Sequence, residues 1–268
     1  MLILAIDTSA VASAALVTDV VVPSPAAQPA GSQAMAVPRV LAEFVTEDTR
    51  SHAEVLAPGI RGMLDDAGME PTALDAIVAG VGPGPFTGLR SGIVTARTLS
   101  FVWNVPLHGM MSLDAVARRV VVDESAAPPL MTGHGLAGGG LSGRSLPDGG
   151  LADSDFLVAT DARRKEVYWA RYRMADQMPE LVDGPHVGPA AELPHLPVYG
   201  AGAGLYADVV DAVDGYAMTQ PEAAPLGELA LIRLVAGTEL QDTTPLYLRE
   251  SDAKVPGPRK RASGVVRP

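Results

Sequence analysis

The chain has 268 residues, 47% of them hydrophobic and 19% charged, enough apolar material for one large or two modest cored units. Its formal net charge of −11 and pI near 4.8 argue against holding nucleic acid unaided, because phosphate repels such a surface. The absence of cysteine excludes disulfides and thiolate metal sites and agrees with a reducing cytoplasm.

The start, MLILAIDTSA, reaches Asp7 after a short apolar run, so it has neither the basic flank nor the length of a secretory signal. No window is long enough for a membrane span, and the expectation is a soluble, cytoplasmic protein. Residues 2–6 read as a buried strand that ends in a polar turn, with 11–18 as its hairpin partner. Residues 19–38 are rich in Pro, Ala and Ser and read as an inserted loop, and a third strand is expected at 40–46. A helix follows from Ser51, an N-cap with Glu54 in capping-box position, and Gly68 is its stop. Its apolar stripe is Leu56, Ile60, Met63, Leu64 and Ala67. A strand at 76–81, a Gly-rich turn, a helix to about Asn104, a strand at 105–108 and a helix at 112–122 capped by Ser112 complete the first half.

Residues 123–153 read as a flexible linker. The order then restarts: strands at 156–160, 166–172 and 180–187, a short helix at 189–193, and a strand at 198–200. A helix at 204–213, a strand at 216–219 and a helix at 226–236 follow. Both halves thus read β-β-β-α-β-α-β-α, the signature of a duplicated α/β fold with a cleft. The expected organisation is a first lobe at 1–122, the 123–153 insertion, a second lobe at 154–248 and a basic, disordered tail at 249–268.

Four segments are candidates for the phosphate or nucleotide side of a site. Asp7, Thr8 and Ser9 end a strand, where hydroxyls and amides can surround phosphate and an Asp can orient a metal-bound water, although the same residues make an ordinary β-turn. Gly82, Gly84 and Thr87 belong to GPGPFTGLR, whose glycines permit close backbone approach before a helix N-terminus; the alternative is a turn that only positions the helix. That loop matches neither a Walker A loop nor a dinucleotide fingerprint. Asp161 occupies the second-half hairpin turn where Asp7 stands in the first, and Gly202 lies in a weaker Gly-rich turn. No two histidines are three or four residues apart, so no helix presents a paired-His metal site, and no catalytic residue is assigned. Gly88, Gly92, Ala96 and Ser100 recur every four residues and form a small-residue face that admits a neighbouring helix, internal or from a second chain.

The stretches LAIDTSA, RSHAEVLAP, AGVGPGPFTGLRSGIVTA, MMSLDAVA, ATDARRKEVYWARY and PLYLRESDA together resemble the TsaB (YeaZ) family. The resemblance covers most of the chain outside the two insertions. It implies a duplicated fold of the actin-like, sugar-kinase and Hsp70-like (ASKHA) class. It also implies a non-catalytic, dimerising subunit of the machinery for tRNA threonylcarbamoyladenosine. In that family the subunit pairs with the metal-holding transferase TsaD, the P-loop ATPase TsaE joins them, and tRNA is reached only through the complex. The family's pairing surface lies on the first two helices, which carries over here to Leu56, Ile60, Met63, Gly88, Arg90, Gly92, Ala96 and Ser100, with a homodimer through the same surface when TsaD is absent. No cofactor is required on this reading, and only weak ATP or ADP binding is expected, since Pro85 stands where the family often has Ser. An ASKHA phosphotransferase or ATPase is the alternative.

Overall fold

The computed structural model describes residues 1–20, 37–46, 52–126, 151 and 154–249. Two mixed sheets organise the molecule. The first contains β1 (Leu2–Asp7), β2 (Ser13–Val20), β3 (Val37–Val45), β4 (Ala76–Gly80) and β5 (Leu107–Met110), in the spatial order β3-β2-β1-β4-β5. β1 to β3 form an antiparallel meander, while β4 and β5 add in parallel, so the C-terminal ends of β1, β4 and β5 share one edge. The second sheet contains β6 (Asp155–Asp161), β7 (Glu166–Ala175), β8 (Met178–Pro189) and β9 (Val198–Tyr199), in the order β8-β7-β6-β9. This is the same winding repeated, with Ala212 bridging Val198 in parallel where a fifth strand would stand. The fold is therefore α/β, with one supersecondary unit used twice.

α1 (His52–Asp66) and α2 (Phe86–Trp103) cover one face of the first sheet. Leu56, Ile60 and Leu64 of α1 close over Leu4, Ile6, Leu16 and Ile77. Gly68 stops α1 at φ 63°, with the Gly68 amide on the Asp65 carbonyl (3.1 Å) and the Met69 amide on that of Leu64 (2.9 Å), a Schellman closure. The capping box expected at Ser51 lies outside the described residues. Asn104 ends α2 in the left-handed region, which Asn tolerates.

α3 (Leu113–Ala126) and α5 (Ala223–Val235) are packed together between the two sheets. α5, although it ends the second half, lies on the first sheet: Leu226, Leu229 and Leu231 are fully buried against Ile3, Ala5, Val17 and Val78. Each such leucine contributes about 1.5–3 kcal/mol of burial. α3 turns Val116, Val120 and Val121 onto Phe156, Tyr172 and Tyr199 of the second sheet.

Two elements of the second half depart from the sequence reading. The helix expected at 204–213 is α4 (Ala201–Leu205) followed by turns, because Asp208, Val209, Val210 and Asp211 are weak helix formers. Residues 216–219 are turns rather than a strand; the chain instead returns beside β9 through Asp211–Val213, with the Val198 amide on the Asp211 carbonyl (2.8 Å). The insertion at 19–38, the linker at 123–153 and the basic tail lie almost wholly outside the described residues.

Candidate functional site

The shared edge of β1, β4 and β5 brings Asp7, Thr8, Ser9, Gly82 and Gly84 together. Asp7 is fully buried, and hydrogen bonds from within the chain reach both of its carboxylate oxygens. Oδ1 accepts from the Ser9 amide (2.8 Å) and the Ser9 hydroxyl (2.6 Å), and Oδ2 accepts from the Ser112 hydroxyl (2.5 Å). The Ser112 Oγ in turn accepts from the Gly82 amide (3.0 Å). Ser112, expected only as a helix cap, thus ties the Gly-rich loop to the first hairpin.

Thr8 fills the foot of α2. Its hydroxyl donates to the Gly88 carbonyl (2.7 Å) and accepts from the Gly92 amide (3.1 Å). A methyl group at Gly84 would lie 2.7 Å from the Ser9 carbonyl oxygen and 2.9 Å from its Cα, so the loop rests directly on the hairpin turn. The glycines here serve close approach of backbone to backbone. The arrangement is a closed polar knot in which the groups suited to phosphate hold one another, while Thr87 stands exposed on the first turn of α2.

In the second lobe Asp161 acts within its own turn, accepting from the Arg163 amide (2.7 Å) and pairing with the Arg163 guanidinium (3.2 Å). Arg163, Arg164 and Lys165 are consecutive left-handed residues at φ 63°, 56° and 66°, at a cost on the order of 1–2 kcal/mol each. Gly202 packs against β6, where a methyl would lie 2.8 Å from the Ala159 carbonyl carbon and the Thr160 amide. Among the described residues no group of three His, Asp or Glu side chains is placed to hold a metal ion.

The expected pairing residues require a correction. Leu56, Ile60, Met63, Gly92 and Ala96 are buried inside the first lobe, and Gly92 packs on the Thr8 side chain. The Gly88 carbonyl is taken by Thr8, and the Ser100 hydroxyl donates to the Val105 carbonyl (2.7 Å). Arg90 lies over the Phe86 ring (3.8 Å) and donates to the Tyr247 hydroxyl (3.0 Å). Tyr247 belongs to a strap over 241–247 that runs from β5 to α2, with the Gly109 amide on the Gln241 carbonyl (2.7 Å) and the Arg97 guanidinium on Thr243 (2.9 Å). The outward face of α2 carries Val94, Phe101 and Val102, exposed by 59%, 88% and 66%. Their spacing (94, 101, 102) sets the three on one side of the helix, a pattern the sequence carries.

A second polar group joins the lobes. Asp114 of α3 is buried, accepts from the Tyr172 hydroxyl (2.8 Å) and pairs with Arg233 of α5 (3.0 Å). Burial pushes its carboxyl above the usual range against the opposing pull of Arg233 and Tyr172, and burial also raises the Tyr172 phenol. Arg118 and Glu228 (3.3 Å) add a second α3–α5 pair.

One sheet order used twice, with helices between and outside, defines a duplicated ASKHA-type protein. Comparison with known proteins agrees. Residues 39–134 match the family model described as TsaD, tRNA N6-adenosine threonylcarbamoyltransferase. An uncharacterized protein of Mycobacterium tuberculosis is 36% identical over 218 residues, 80% of this chain and 83% of its own. The tRNA threonylcarbamoyladenosine biosynthesis protein TsaB of Bacillus subtilis is 35% identical over 78 residues, 29% of this chain and 34% of its own. The structure of YeaZ from Pseudomonas aeruginosa superimposes with a TM-score of 0.65 at 26% identity, covering 92% of this chain and 99% of its own. The chain belongs to the TsaB (YeaZ) family.

Proposed function

We propose that this protein is an accessory, non-catalytic subunit in the N6-threonylcarbamoylation of tRNA adenosine, pairing with a TsaD-type transferase and working with the TsaE ATPase. The observation that carries the reading is the outward face of α2. Val94, Phe101 and Val102 present apolar surface on a rigid helix, which solvent disfavours and a partner helix would bury. The same face serves a homodimer when the transferase is absent. Pairing with a homologue also accounts for an acidic chain serving an RNA substrate, since the partner supplies the main grip.

The closed knot around Asp7 supports the accessory role. A phosphotransferase of this fold needs that carboxylate directed at a phosphate-bound cation, whereas here it faces Ser9 and Ser112. Reconstituted transfer of threonylcarbamoyl to tRNA tests the reading: the transferase with TsaE and ATP should depend on this chain, and the chain alone should modify nothing. Equal transfer without it, or ATP turnover by the isolated chain that Asp7→Asn abolishes, sinks the proposal.

A further inference from the structure

The exposed side of α2 carries a stripe of Phe86, Arg90, Val94, Arg97 and Phe101. At about 3.6 residues per turn the five fall within an arc of about 80°. Their steps of four, four, three and four residues are those of a seam along which another helix can lie. α2 contains two arginines and no acidic residue, in a chain of net charge −11. The seam is therefore positive although the chain as a whole is acidic.

The two arginines are held differently. Arg97 bends onto the strap, where its guanidinium donates to the Thr243 hydroxyl and carbonyl (2.9 Å each) and the Asp242 carboxylate acts on it electrostatically. Arg90 lies over the Phe86 ring (3.8 Å) and donates through Nε to the Tyr247 hydroxyl (3.0 Å), while the Phe86 and Tyr247 rings meet at 4.9 Å. Both partners of Arg90 are neutral. They fix the guanidinium without cancelling its charge, and among the described residues no carboxylate pairs with it.

We infer that Arg90 selects the partner of this face: it takes a carboxylate from a helix of the TsaD-type transferase laid along α2, and it disfavours a second copy of this chain. The inference rests on the proposed function for the identity of that partner. With Nε on Tyr247, the terminal amino groups of the guanidinium face outward to grip a carboxylate. Because Phe86 and Tyr247 already hold the side chain, little ordering remains to be done at the moment of binding. A second copy would instead lay one α2 on another and bring four guanidiniums into one contact, with no carboxylate from either helix to offset them. Val94 and Phe101 attract either partner, and the charge of Arg90 separates the two.

The test measures two association constants of the full chain by sedimentation, with itself and with the transferase from the same genome, for the wild type, Arg90→Met and Arg90→Glu. Arg90 is exposed, so all three melting temperatures should agree within about 2 °C. Arg90→Met should weaken the heterodimer about tenfold or more and strengthen self-association about threefold. Arg90→Glu sets a carboxylate against the arginines of a second copy. It should weaken the heterodimer about a hundredfold and strengthen self-association beyond Arg90→Met, a gain that added apolar surface could not produce. A heterodimer that tolerates Arg90→Glu overturns the inference and leaves the proposed function standing. So does a substitution that weakens both assemblies alike, or self-association that Arg90→Glu leaves unchanged. A wild-type chain that does not pair with the transferase defeats the proposed function, and the inference with it.

Discussion

Replacing Gly92 by alanine would place a methyl group 3.0 Å from Cγ2 and 3.1 Å from Cβ of Thr8, and closer still to its hydroxyl. Thr8 is buried between the hairpin and α2, so it cannot swing into solvent. Moving it would break its hydrogen bonds to the Gly88 carbonyl and the Gly92 amide, worth about 1 kcal/mol each. Overpacking adds about 1–3 kcal/mol, and the better helix propensity of alanine returns about 1 kcal/mol. The expected net loss is therefore about 2–4 kcal/mol, or a fall in melting temperature of about 4–16 °C. Urea unfolding of Gly92→Ala, Thr8→Ala and the double variant measures this. Because Thr8→Ala removes the two nearest atoms, the double variant should be more stable than the sum of the singles predicts, by about 1 kcal/mol or more. A Gly92→Ala protein as stable as the wild type, or strict additivity, would refute the argument that α2 sits on the first hairpin. A bulky residue at Gly92 consequently tests folding and not pairing.

Other consequences follow from the same geometry. Gly62 lies on an open face of α1 with nothing within 4 Å of an added methyl, so Gly62→Ala should stabilise by about 0.5–1 kcal/mol, while Gly84→Ala should destabilise by about 2–3 kcal/mol in the same denaturation series. Arg233→Met strands the buried Asp114 carboxylate and should cost about 3–5 kcal/mol near neutral pH, more than Asp114→Asn, since the half-buried Arg233 still reaches water. Burial holds the folded-state pKa of Asp114 above its unfolded value, and losing Arg233 raises it further. The native state then binds more protons than the unfolded one, so the stability of Arg233→Met should recover as pH is lowered from about 7 toward 5. A pH-independent deficit, measured by thermal melts, would contradict this.

Much of the architecture was legible in the sequence, because alternating and continuous apolar runs mark strands whichever sheet they join. The repeated β-β-β order, the Gly68 and Asn104 helix ends and the placement of Asp7 and Asp161 in equivalent turns could all be read directly. Periodicity does not say what occupies a helix face. At the Gly88 and Gly92 end of the small-residue stripe the close neighbour is Thr8, some eighty residues earlier, which no local pattern names. The large apolar residues exposed on the outward face of α2 are Val94, Phe101 and Val102, which read as ordinary core from their identity alone. Nor does local pattern reveal that α5 lies across the first sheet, or that Ser112 reaches Asp7, since both contacts join residues more than a hundred positions apart. The missing last strand of the second lobe failed for a local reason: tight turns after Leu205 leave only the Ala212 bridge.

The central claim is that this chain pairs with a TsaD-type transferase through the outward face of α2. Sedimentation of the mixed proteins from one genome, comparing the wild type with Phe101→Glu, tests it most directly, because Phe101 is 88% exposed and its replacement leaves the core untouched. The account predicts a stable heterodimer with the wild type and none with Phe101→Glu at an unchanged melting temperature. Absence of a wild-type complex in the presence of TsaE and ATP, or equal pairing by the variant, would contradict it.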